Sequence, residues 1–164
     1  QGYTIGTSLS ESSFLDESKK ILNSENCEKI IFPNDVVCAE DGVLENPQTK
    51  DISMVKSSDK ILDVGVDSIS KYTKILRVCQ TIFWNGPLGY VEKAPYDKGT
   101  SEIAKIIANA DCFSAIGGGD TVPVIEKLGL NDQFSFLSTG GGALMKFFEG
   151  SNMPILSKLG LDNK

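Results

Sequence analysis

Apolar and polar positions alternate along the chain with two periods. Between residues 10 and 23, Phe14, Leu15, Ser18, Ile21 and Leu22 share one face of a 3.6-residue repeat. Glu11 lies near the start and Lys19 and Lys20 near the end, where the helix dipole favours them, so the spacing predicts a helix. Residues 29–33 and 35–39 are rich in Ile, Phe and Val around a Pro33-Asn34 turn signal and predict two short strands. Residues 40–58 are polar, with Gly42 and Asn46-Pro47, and predict a surface excursion whose only strand-like piece is 52–55. From Asp67 the pattern becomes regular. Ile69, Tyr72, Ile75, Leu76 and Cys79 line a helix, 81–84 form a strand, and Ile103, Ile106, Ile107 and Ala110 line a second helix. Then come a strand at 112–116, a helix at 122–128 stopped by Gly129, a strand at 134–137 and a helix at 143–149 stopped by Gly150. Such alternation predicts an α/β fold: a Rossmann-like parallel sheet with helices on both faces.

Composition narrows the chemistry. At 164 residues, 40% hydrophobic and 23% charged, the chain has the size and apolar content of one globular domain. Its 16 Lys+Arg against 22 Asp+Glu give a net charge of −6, which argues against nucleic-acid or anionic-membrane partners, since those call for a basic surface. No apolar run approaches the roughly 20 residues of a membrane span, and the first residues lack a basic start and an apolar core. A cytoplasmic protein is therefore expected. Cys27, Cys38, Cys79 and Cys112 form no CxxC pair and are expected to be free thiols. Histidine is absent, which removes imidazole bases, His-based zinc sites and serine–histidine or cysteine–histidine hydrolases. Carboxylates, lysines, hydroxyls and backbone amides remain.

Three strand ends carry the candidate chemistry. Phe83-Trp84 runs into Asn85-Gly86-Pro87-Leu88-Gly89, Ala115-Ile116 into Gly117-Gly118-Gly119-Asp120-Thr121, and Leu137-Ser138 into Thr139-Gly140-Gly141-Gly142-Ala143. In an open parallel sheet these ends lie along the carboxyl edge, where ligands bind. Glycine lets backbone approach a ligand with no Cβ in the way, and the two triplets lead into helices whose first amides are unpaired and favour an anion. One triplet alone is explained as well by a tight connection; two on successive strands argue for a phosphate cradle. Neither fits GxGxxG or GxxxxGK[ST]. Asp120 suits either an N-cap or a Mg²⁺ ligand. Glu92 suits either ribose binding or an ordinary exposed loop, while Trp84 is expected in the core.

Taken together, residues 84–89, Lys98-Gly99-Thr100, 117–121 and 138–143 closely resemble, in order and spacing, the carboxyl-terminal half of phosphoglycerate kinase; Ile5-Gly6-Thr7-Ser8-Leu9 and Leu62-Asp63-Val64-Gly65 resemble family segments as well. The resemblance implies that residues 1–164 are a partial carboxyl-terminal nucleotide-binding domain lacking its first strand or strands. It further implies that the phosphoglycerate-binding amino-terminal domain, with its basic patch and catalytic arginine, lies outside this chain. By position, Gly118, Gly119, Asp120, Thr121 and Gly141 would hold the phosphates of ATP or ADP, with Asp120 on Mg²⁺. Asn85 and Pro87 would border the nucleotide, Glu92 would bind the ribose and Leu62 would pack near the adenine. The amides around Gly119 and Gly142, the catalytic pair, would face the transferring phosphoryl group. The parent is expected to be a monomer and this portion alone to lack turnover. Ile61 stands where the family usually has glycine beside the adenosine, and Val66 where it often has proline. Two other readings stay open: a folding unit without ligand competence, and an unrelated binder of another phosphorylated metabolite.

Overall fold

The computed structural model describes residues 2–161, and the chain divides into two compact units, 1–70 and 71–164. In the first, β1 (Asp35–Glu40), β2 (Val43–Asp51) and β3 (Asp59–Val64) make an antiparallel sheet in the order β2-β1-β3. Val36, Cys38 and Val55 are buried together, with Ile61 packed on them. Ile61 thus serves the core of this unit.

The sequence pattern misses much of this unit. The excursion expected over 40–58 is in fact β2, whose side chains are nearly all exposed. An edge strand with two solvated faces carries no apolar alternation and tolerates Pro47; its place is set by backbone pairing with β1. Residues 52–55 hold a 3₁₀ turn, Ile52–Met54. The strand expected at 29–33 is irregular chain following a 3₁₀ turn at Cys27–Lys29. The first helix is present as α1 (Leu15–Leu22), entered through a 3₁₀ turn at Ser12–Phe14. Its apolar positions Phe14, Leu15 and Ile21 are exposed.

Two buried carboxylates organise the unit. Asp59 accepts hydrogen bonds from Lys50 Nζ at 2.8 Å and from the Lys56 amide at 2.7 Å. Asp35 faces the first turn of α2 (Val66–Leu76), accepting from the Ser68 amide at 2.7 Å, the Ser68 hydroxyl at 2.6 Å and the Asp67 amide at 3.1 Å. Gly65 permits that approach, since a Cβ there would collide with the Asp35 carboxylate. Burial alone would raise the Asp35 pKa, but the Ser68 and Asp67 donors overcome it and hold it below its ordinary value. The Lys50 ammonium and then the Lys56 amide hold Asp59 low as well.

In the second unit β4 (Thr81–Asn85), β5 (Phe113–Gly117) and β6 (Phe136–Ser138) form a parallel sheet in that order, linked by α3 (Lys98–Ala108) and α4 (Thr121–Lys127). This is the expected α/β architecture. Ile82, Trp84 and Ile116 project from one sheet face onto Ile103, Ala104 and Ile107 of α3 and Ile125 of α4. Trp84 is therefore core, and each fully buried aliphatic side chain here stabilises the fold by about 2 kcal/mol. On the opposite face Phe83 meets Phe148 of α5 (Gly141–Phe148), ring centroids 4.6 Å apart, while Phe113 and Phe136 stay exposed. Gly129 and Gly150 end α4 and α5 at φ +67° and +70°. The Leu130 and Ser151 amides donate back to Ile125 and Lys146 carbonyls, the Schellman pattern. A short α6 (Pro154–Lys158) follows, with Pro154 in its first turn and Gly160 beyond its end. Cys38 is buried, Cys79 and Cys112 half-buried and Cys27 exposed, all free. Among the described residues no helix is long and apolar enough to cross a membrane.

Because Asp35 and Asp59 titrate below their ordinary values, the unfolded chain takes up their protons first. Their stabilisation is complete above about pH 4 and is lost as pH falls through the folded pKa values. Asp59→Asn, which leaves the Lys50 ammonium without its charge partner, should cost about 2 kcal/mol near neutral pH and should flatten the acid side of stability against pH. Urea midpoints followed by far-ultraviolet circular dichroism check both; an acid limb unchanged by the substitution would contradict the assignment.

Candidate active site

The second unit brings the glycine-rich strand ends together. Parallel register pairs Asn85 with Gly117 and Gly117 with Ser138, so the three strands finish level. Two hydrogen bonds lock the turns beyond them: the Gly86 amide donates to the Gly117 carbonyl at 3.3 Å, and the Gly118 amide to the Ser138 carbonyl at 3.2 Å. Gly86 and Gly118 take φ of +87° and +120°, which residues with a Cβ rarely adopt. A Cβ on Gly141 would lie 2.7 Å from Asn85 Oδ1 and 2.8 Å from Gly118 N and Cα, and one on Gly118 would lie 3.2 Å from Gly86 N. Bare backbone is what lets these ends touch.

Gly119 and Gly142 differ from these. A Cβ on either would meet nothing within 4 Å, and both are exposed. Their side of the cluster is open backbone. In α5 the first ladder bond runs from the Leu144 amide to the Gly140 carbonyl, and at α4 from the Val122 amide to the Gly118 carbonyl. The amides before each lie at an unpaired helix end.

Asp120 sits at the N-cap position of α4, but its carboxylate makes no cap hydrogen bond. The reason is local: Asp120 has φ −95° and ψ −21°, whereas a capping side chain normally springs from extended backbone. Asp120 is exposed and borders a groove of about 240 Å³ with Gly119, Glu92, Asp97, Pro123 and Lys127. Glu92, expected near a ribose, thus shares a cavity with Asp120. Asp97 and Lys127 were not anticipated; they stand 3.7 Å apart as an ion pair. Glu92 and Asp120 are the groove's acidic residues beside that ion pair. Thr121 is fully buried, and its Oγ1 is the unpartnered buried side-chain polar atom among the described residues. That hydroxyl lies 3.2 Å from where a Cβ of Gly118 would be. An unsatisfied buried hydroxyl costs about 1–3 kcal/mol.

Of the remaining candidates, Asn85 turns its amide oxygen toward Gly117 and Gly141 as part of the floor, and Pro87 is half-buried in the loop beyond. Leu62 belongs to the first unit, buried in β3; the cluster described here is of the second unit alone. Among the described residues no three His, Cys, Asp or Glu side chains gather as a metal centre. The donor set suits an ion that takes one carboxylate and fills its shell with water and phosphate oxygens, as Mg²⁺ does.

Known proteins resemble this chain in sequence and fold. One family profile, described as Phosphoglycerate kinase, matches residues 1–151. A curated phosphoglycerate kinase of Baumannia cicadellinicola subsp. Homalodisca coagulata is 40% identical over 165 aligned positions, which cover 100% of this chain and 41% of that protein. Among solved structures, phosphoglycerate kinase from Coxiella burnetii superposes with a TM-score of 0.83 at 37% identity, over 92% of this chain and 40% of its own. The enzyme from Pyrococcus horikoshii OT3 gives a TM-score of 0.80 at 30% identity, over 92% and 37%. The chain therefore spans about two fifths of the length of these relatives. With four ordered motifs, a shared fold and a profile running through nearly its whole length, the chain belongs to the phosphoglycerate kinase family.

Proposed function

We propose that this chain is the nucleotide-holding portion of a phosphoglycerate kinase. The complete protein would pass the acyl phosphate of 1,3-bisphosphoglycerate reversibly to ADP, giving 3-phosphoglycerate and ATP with a carboxyl group as the acceptor in reverse. The observation that carries this reading is the contact of Gly118 with Gly141, flanked by the open backbone of Gly119 and Gly142. Phosphoryl transfer asks for positioning and charge neutralisation rather than a side-chain base, and converging amides supply both without histidine. In this reading Gly118, Gly119, Asp120 and Thr121 hold the nucleotide phosphates, Gly118 by its bare backbone because its own amide is taken by the Ser138 carbonyl, and the amides around Gly119 and Gly142 face the phosphoryl group in transit. Asp120 holds Mg²⁺, which neutralises phosphate charge when bound, and Glu92 takes the ribose hydroxyls. The phosphoglycerate is bound by a separate amino-terminal domain, so residues 1–164 constitute a partial domain without turnover of their own. A monomeric cytoplasmic enzyme without nucleic-acid or membrane partners completes the proposal.

A second reading rests on the exposed Phe113 and Phe136 of the sheet and the exposed apolar stripe of α1: the chain is a folding unit with no ligand competence. Titration of the purified chain with MgADP in a calorimeter separates the two. Heat that disappears in Asp120→Ala supports the nucleotide reading, and silence at millimolar nucleotide supports the inert one. The glycines refine the test. Gly119→Ala and Gly142→Ala place a methyl in open space, so thermal midpoints should stay within about 2 °C while MgADP binding weakens about ten-fold or more. Gly141→Ala should instead destabilise the fold itself, because its Cβ meets the Gly118 backbone at 2.8 Å.

A further inference from the structure

Lys98-Gly99-Thr100 opens α3, and nothing in the nucleotide reading uses it. Thr100 is fully buried and Gly99 beside it is buried too. The Thr100 side chain points away from solvent toward the loop that follows β4, where its Oγ1 accepts a hydrogen bond from the Leu88 amide at 3.0 Å. The same loop has a second tether, the Gly86 amide on the Gly117 carbonyl at 3.3 Å. Pro87 lies between the two and has no amide hydrogen of its own. The two bonds on either side of it are therefore what orient it.

The tethers end on different supports. Gly117 is the tip of β5, paired on both sides. Thr100 lies in the first turn of a helix fixed by Ile103, Ala104 and Ile107, which are buried in the core. In the loop between them Gly86 sits at φ +87° and Leu88 and Tyr90 are exposed, so few side-chain contacts back up the two bonds. Removing one of the two bonds leaves Pro87 held from one side, next to a glycine. A valine has nearly the shape of threonine but no acceptor, so Thr100→Val removes the bond and leaves the Leu88 amide without it.

We propose that Thr100 is a positioning residue for the nucleotide-binding loop: it ties Asn85-Gly86-Pro87-Leu88 to α3 and sets where Pro87 meets the nucleotide. This rests on the nucleotide reading above, and it adds a residue that touches no ligand. The neutral hydrogen bond concerned bears on affinity by about five-fold when lost.

Two measurements on the whole chain test it. The first is hydrogen exchange of the Leu88 amide by NMR, with no ligand present. Protection in the unmodified chain, lost in Thr100→Val and regained in Thr100→Ser, is the expected result. An unprotected Leu88 amide in the unmodified chain overturns the tether, whether or not any variant folds. The second is MgADP affinity by calorimetry: Thr100→Val should bind about five-fold more weakly at an unchanged heat per site, and Thr100→Ser should recover. Unaltered affinity in a Thr100→Val chain whose Leu88 amide has become exchangeable overturns the positioning role, as does failure of Thr100→Ser to recover. A protected Leu88 amide in an unmodified chain that gives no heat with MgADP overturns the nucleotide reading and the positioning role with it, leaving only the tether.

Discussion

The site depends on one constraint, the absence of side-chain atoms where the turns after β5 and β6 meet. Gly118 and Gly141 approach so closely that a single methyl on Gly141 would press into the peptide of its neighbour at 2.8 Å. Parallel pairing sets the ends of the strands level, and the glycines turn level ends into contact. An ordinary residue at Gly141 would push the α5 end away from the α4 end, leaving two separate helix termini in place of one cradle. The glycines just beyond, Gly119 and Gly142, keep the outward side bare. One pair of glycines closes the floor and another keeps the mouth open.

Charge is arranged to match. Asp120 stands where an N-cap would stand, but its helical backbone withholds the carboxylate from the amides of α4, and the residue borders a groove with Glu92 and Asp97. The acidic residues of that groove adjoin unpaired helix amides, which favour an anion. That juxtaposition suits a metal-bound polyphosphate, which carries both signs, better than a bare anion or a bare metal. The uncapped aspartate and the orphan hydroxyl of Thr121 both leave the fold less satisfied than it might be, as functional sites commonly do.

How much of this was legible from residues alone follows from physical type. The βα repeats of the second unit were legible because each strand buries one face and each helix one stripe, which leaves periods of two and 3.6 in the sequence. The stops at Gly129 and Gly150 were legible because a left-handed C′ position nearly demands glycine. The cradle was legible as a kind of residue, since lacking a Cβ is a property of sequence, but the meeting of Gly118 with Gly141 is a fact of register. In the first unit β2 escaped notice because both its faces are wet. β3 escaped because Asp59 and Asp63 are buried charges within it, so its inward positions read as polar. Asp120 as a cap also failed, because capping depends on a backbone angle that residue identity does not specify.

The most direct test of the account is to follow backbone amide chemical shifts of the purified chain during titration with MgADP. The amides of Gly118, Gly119, Gly141 and Gly142 should move together along one saturation curve, and MgADP should move them further than inorganic phosphate at equal concentration. Shifts spread evenly over the chain, or none at those four glycines at millimolar MgADP, would contradict it.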